Sequence, residues 1–120
     1  MSHELYPSPS AELSQKRRNL APGIAAAFAE LSKRVFAEGA LPTRTKQLIA
    51  VAVAHVTQCP YCIAGHTRGA LRAGVTQAEI MEAIWVAAEM RAGGSYAHSI
   101  IALSEMDVAD DSEASRHGSG

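Results

Sequence analysis

Residues 48–66 read LIAVAVAHVTQCPYCIAGH, and this stretch decides the architecture. Leu48 to Val56 is apolar on nearly all sides, the pattern of a helix buried in the middle of an assembly. It is too short to cross a bilayer, which takes roughly 20 apolar residues. Proline is favoured in the first turn of a helix and destructive in its interior. Pro60 therefore predicts that the apolar helix ends near Thr57 and that a second one starts at Cys59, with Cys59 at its N-cap.

Upstream, Ile24, Phe28, Leu31 and Val35 recur at helical spacing between Pro22 and about Glu38, with Gly39 as a stop and Thr43 as the N-cap of the apolar helix. Ala11 to Leu20 reads as a short helix whose Lys16, Arg17 and Arg18 form a solvated face. Downstream, Gly74 ends the second helix of the central pair, and Thr76 with Glu79 has the spacing of a capping box. Val75 and Ile80 are placed to form its hydrophobic staple. The helix that follows is expected to reach about Arg91, burying Ile80, Ile84 and Ala87 or Ala88. Gly93 and Gly94 are expected to break it, with Ser95 capping a last helix through about Met106.

Strand signals are nearly absent, aromatic residues being 5% of the chain. The expectation is an all-α single domain of five to six short helices over residues 11–106. Residues 1–10 are read as a flexible N-terminus and 107–120 as a disordered acidic tail. Trp85, Val86, Ile100 and Ile101 leave more apolar surface than a small chain can cover, so a homo-oligomer is expected.

Composition narrows the function classes. Hydrophobic residues are 48%, charged residues 19% and the formal net charge is −1, an ordinary balance for a globular chain. Nothing in it argues for nucleic acid or an anionic membrane as partner. The start MSHELYPSPS lacks a basic segment followed by an apolar core, which makes the cytoplasm the expected compartment.

The two cysteines, Cys59 and Cys62, are three positions apart, too close for a disulfide between them to staple the fold. In a cytosolic chain such a pair is more often catalytic, redox-sensing or metal-binding. Cys59 at a helix start would meet free backbone N–H groups and the positive end of the helix dipole, both of which favour a thiolate. His66 follows Cys62 by four residues, so the two share a helix face, and an imidazole there can take a thiol proton. A second cysteine can then resolve a sulfenic acid into a disulfide before it over-oxidises. A metal reading of His55, Cys59, Cys62 and His66 fares worse. On one continuous helix these positions would spread over roughly 16 Å at about 1.5 Å per residue, too far for one zinc ion with ligands near 2 Å. The helix break expected at Pro60 relaxes this argument without reversing it. His55 and His98 read as structural histidines, and Tyr61 as either a packing residue or a gate over the thiols.

These residues resemble the carboxymuconolactone decarboxylase family, specifically its AhpD-like alkylhydroperoxidase branch. The resemblance spans roughly Leu41 to Leu103. It rests on Leu41-Pro42, on Thr45-Lys46-Gln47-Leu48-Ile49-Ala50, on Cys59-Pro60-Tyr61-Cys62 and on His66, with the Gly74–Glu79 turn and Gly93-Gly94 extending it. It implies an all-helical fold assembled as trimers or hexamers, and a thiol peroxidase or disulfide reductase without metal or haem. A hydroperoxide or disulfide would be the substrate and a thiol the electron donor. Cys62 would match the family's peroxide-attacking thiol, Cys59 its disulfide partner and His66 its proton-relay histidine, whereas helix position alone makes Cys59 the more activated sulfur. Two residues depart from the pattern. Gln47 stands where the family usually carries a glutamate of the relay, and it cannot accept a proton at neutral pH. Tyr61 stands where AhpD has a histidine. Glu82 or Glu89 is an alternative carboxylate from a neighbouring helix. The competing functions are a lyase acting on a muconolactone-like acid, which needs no cysteine pair, and a non-catalytic oligomeric redox sensor.

Overall fold

The computed structural model describes residues 5–117, which form five helices and no strand. They are α1 (Ala11–Leu20), α2 (Pro22–Phe36), α3 (Thr43–Thr57), α4 (Pro60–Arg72) and α5 (Gln77–His117).

The centre is α3, which packs along both α4 and α5. Its continuous apolar sequence is buried only in part: Val51 is fully buried and Ala54 nearly so, whereas Ile49, Val53 and Val56, expected to be covered, remain 46–52% exposed. Gln58 ends it in the left-handed region (φ 57°), and the Cys59 N–H returns to the Ala54 carbonyl at 3.2 Å. Pro60 then occupies the first turn of α4. At the other end of α4, Gly74 takes φ 85°, a conformation that suits glycine, and Val75 N–H bonds back to the Ala70 carbonyl. The chain turns directly into the capping box: Thr76 N–H donates to Glu79 Oε1 (2.9 Å) and Glu79 N–H to Thr76 Oγ1 (3.1 Å). Val75 and Ile80 are buried beside Val51 and Ala70, with Leu48 and Ile84 packed against them. Ala70 has no side chain beyond Cβ, which suits a close approach of α4 to α3. Arg44 adds an ion pair with Glu79, tying the start of α3 to the start of α5.

Three expectations need correction. Thr43 does not cap α3 with its side chain; its Oγ1 donates to the Phe36 carbonyl, while Glu38 Oε1 accepts the Thr43 N–H. Gly93 and Gly94 do not break α5, so the described residues form four short helices and one of 41 residues. Two glycines weaken a helix by about 1 kcal/mol each relative to alanine, but a break also needs a conformation to go to. Here no proline follows, and Ala92 precedes the pair with Ala97 three residues beyond it. The same helix runs on through residues 107–117, where a tail was expected, while residues 118–120 lie outside the described residues. Ala109 and Ala114 supply helix propensity there despite the acidic run.

The chain is elongated, with extents of 75 × 35 × 35 Å and a radius of gyration of 22.8 Å, against the about 14 Å of a compact globule of this length. The stripe of Ile24, Phe28, Leu31 and Val35 forms on α2 as its spacing requires, but stays 50–76% exposed. Trp85, Tyr96, Ile100 and Ile101 on α5 are likewise exposed. Among the described residues no helix is long and apolar enough to cross a membrane.

Candidate functional site

Cys59 and Cys62 are joined as a disulfide across the first turn of α4, their Cα atoms 5.2 Å apart. Proline at position 60 makes this possible, because it starts the helix between them and leaves Cys59 as an extended N-cap residue. The Cys59 sulfur also accepts the Cys62 N–H at 3.2 Å, occupying one of the donors that a helix start leaves free.

One turn further along α4, His66 is half-buried between two partners from other helices. Its ring stacks on Phe36 of α2, centroids 5.0 Å apart with 23° between planes. Its Nδ1 lies 3.0 Å from Oε1 of Gln47 on α3. With an amide oxygen as acceptor, Nδ1 carries the proton and Nε2 keeps its lone pair. Gln47 reaches His66 across the backbone of Gly69: a Cβ there would stand 2.8 Å from Gln47 Oε1.

Cys62 and His66 open into a single cavity of about 370 Å³. Val35 and Phe36 wall it from α2; Ile49, Ala50, Val53 and Ala54 form its α3 side, with Lys46 and Thr57 towards the two ends of that helix. Of the two cysteines, Cys62 lines the cavity and Cys59 does not.

All four residues singled out from sequence are therefore linked: Cys59 to Cys62, Cys62 to His66 through the shared cavity, and His66 to Gln47. Glu82 and Glu89 are not brought to His66; Glu89 lies over Gly93 on its own helix. His55 donates from Nδ1 to the Val51 carbonyl at 2.7 Å, the structural bond expected of it. Tyr61 turns away from the cavity, its hydroxyl donating to the Pro7 carbonyl (2.7 Å) and its ring meeting Tyr6 edge-on. Among the described residues no three His, Cys, Asp or Glu side chains gather as a metal site. Sequence reasoning missed Phe36 and Lys46. Phe36 contacts His66 over a separation of thirty positions, which no local spacing reveals.

A helical pair carrying a disulfide-paired CxxC, with a histidine in the same cavity, defines the class: an all-α protein with a CxxC pair at its centre. The chain belongs to the carboxymuconolactone decarboxylase family, whose model matches residues 22–105. Uncharacterized protein 4 in the cox locus of Paracoccus denitrificans is 62% identical over 104 residues, covering 87% of this chain and 93% of that protein. An uncharacterized protein of Cupriavidus necator is 34% identical over 87 residues, covering 72% and 77%. Among solved structures, a protein from Methanobacterium thermoautotrophicum is 36% identical with TM-score 0.66, covering 69% of this chain and 93% of that one. An apo carboxymuconolactone decarboxylase family protein from Legionella pneumophila is 33% identical with TM-score 0.63, covering 66% and 70%.

Proposed function

We propose that the protein is an AhpD-like thiol oxidoreductase that reduces hydroperoxides, or exchanges with disulfides, through Cys59 and Cys62. The observation that carries this reading is the placement of Cys62, half of a disulfide-paired CxxC, in an apolar cavity shared with His66.

Starting from the dithiol, His66 Nε2 takes the Cys62 proton and the thiolate attacks the terminal oxygen of ROOH. The O–O bond breaks, a sulfenic acid forms on Cys62, and the leaving alkoxide takes the proton from the imidazolium to give ROH. The Cys59 thiolate, stabilised by the helix start, attacks the sulfenic sulfur. The S–S bond forms and hydroxide leaves with a proton as water. Two electrons pass from the pair to the peroxide, and a donor dithiol must return them, which a reducing cytoplasm can supply. The access of Cys62 to the cavity favours it as the attacking sulfur and leaves Cys59 as the resolving one.

A peroxide-consumption assay with a dithiol reductant tests this. Wild type is expected to turn over, Cys62→Ser to lose all activity, and Cys59→Ser to stall as a sulfenic acid. Thiols that stay free in hydroperoxide would sink the reading. A reversible disulfide that changes oligomer mass without turnover would make the protein a redox sensor instead. Capture of a carboxylated lactone by the double Cys→Ser variant would favour the lyase.

The exposed stripes on α2 and α5 further support assembly with copies of the same chain, as a trimer or hexamer, which native mass measurement decides.

A further inference from the structure

The cavity beside Cys62 carries one cation, and its placement selects a ligand. We propose that this cavity binds an amphipathic carboxylate, the apolar body lying along Ile49 and Val53 and the anionic end on the Lys46 ammonium. The proposal deepens the thiol oxidoreductase reading, on which it rests: the hydroperoxide reduced would be that of a fatty-acid-like acid.

Three observations lead there. The α3 side of the cavity spans Lys46 to Thr57, eleven residue steps or roughly 16 Å of helix, an elongated apolar surface rather than a round pocket. Its volume, about 370 Å³, lies within the range of small-molecule sites. Lys46 is the only residue of the lining with a fixed charge, and among the described residues it has no acidic partner. Its Nζ donates to the Ala37 carbonyl at 2.6 Å, using one of the three N–H groups of an ammonium. Glu38, the acid next in sequence to that carbonyl, accepts from the Thr43 N–H instead. A cation at one end of an apolar surface, with donors to spare, is complementary to a carboxylate on a hydrocarbon chain.

The alternative role for Lys46 is to hold the C-terminal end of α2 through Ala37 and nothing more. Comparing an acid with its ester separates the two roles, because a purely structural lysine cannot tell them apart. Pre-reduced wild type is mixed with linoleic acid hydroperoxide or its methyl ester, below the concentration at which either aggregates, and loss of thiols is followed. The acid is expected to reach half-saturation at a concentration about 3- to 10-fold below the ester, the range of a partly solvated charged hydrogen bond. Lys46→Gln should bring that ratio to about one, and Lys46→Arg should restore it. A ratio of one in wild type, or a preference that survives Lys46→Gln, overturns the proposal.

Cumene hydroperoxide, which has no carboxylate, reports separately on the thiol reading. If it leaves both thiols free, that reading fails and binding alone decides the cavity. In the Cys59→Ser/Cys62→Ser protein, dodecanoate should then bind about 3- to 10-fold more tightly than dodecanol by calorimetry. Equal binding would overturn the proposal on that arm.

Discussion

Gln47 Oε1 accepts the Nδ1–H of His66 at 3.0 Å, so an amide occupies the position from which a carboxylate would complete a proton relay. The amide orients the ring and selects the tautomer, but it cannot balance the charge when the imidazole takes a proton. Gln47→Glu should therefore speed thiol oxidation by hydroperoxide up to about 10-fold, below the ~10²–10⁴ of a complete acid–base contribution because orientation is already in place. Gln47→Leu should slow it by a similar factor. Rates of disulfide formation in single turnover measure both, and no change in either variant would mean that the hydrogen bond has no part in the chemistry.

Gly69 offers a way to disturb that bond without touching either member. An alanine Cβ at 69 would stand 2.8 Å from Gln47 Oε1 and 3.0 Å from Cδ, closer than atoms tolerate, so the end of the flexible Gln47 side chain must move. Stability should change little. The helix gains roughly 0.5–1 kcal/mol from Gly→Ala, which offsets part of the crowding. The oxidation rate, in contrast, should fall to that of Gln47→Leu. Gly65→Ala is the control, since a Cβ there meets nothing within 4 Å. Denaturant midpoints and single-turnover rates on the same samples separate the two effects.

The legible parts of the fold were those written in local chemistry. Pro60 announced the helix junction and put Cys59 at an N-cap, and Thr76 with Glu79 announced the start of α5; all of these act within a few residues. The Gly93-Gly94 pair misled because glycine gives permission to turn without compelling it. In the site, Cys62 and His66 share a helix and could be paired by spacing. Phe36 and Gln47 reach His66 from two other helices, and only the motif resemblance placed Gln47 near it. Burial was least legible: the α2 stripe was readable as a helix face, while what covers it is not a property of one chain's sequence pattern.

The Arg44–Glu79 contact predicts a pH dependence. Hydrogen bonding to the Arg44 guanidinium, with further bonds from Thr76, lowers the Glu79 carboxyl from 4.5 to about 2. A carboxyl lowered by folding stabilises the fold fully above its unfolded value, and that contribution fades as pH falls from 4.5 towards about 2. Glu79→Gln keeps an acceptor for the Thr76 N–H and removes only the charge. It should lower the melting temperature at pH 7, and the gap to wild type should close across that acid range. Thermal midpoints at fixed protein concentration test it; a gap independent of pH would assign the effect to cap geometry alone.

The continuity of α5 is testable at Gly94, where a Cβ would meet nothing within 4 Å and φ is not positive. Within an unbroken helix, Gly94→Ala removes backbone freedom from the unfolded chain at no steric expense, so it should stabilise by about 0.5–1 kcal/mol and leave helix content unchanged or higher. Were the chain to turn here through a left-handed glycine, the same substitution would destabilise it instead. Gly94→Pro discriminates from the other side: an interior proline costs about 3 kcal/mol or more and should reduce the circular-dichroism helix signal, whereas a loop at this point would absorb it with little change. The sign of the alanine effect, read with the size of the proline effect, therefore distinguishes one long helix from two short ones. The exposed apolar residues beyond Gly94 make the distinction matter, since only a continuous α5 keeps Tyr96, Ile100, Leu103 and Met106 on the helix face of Trp85.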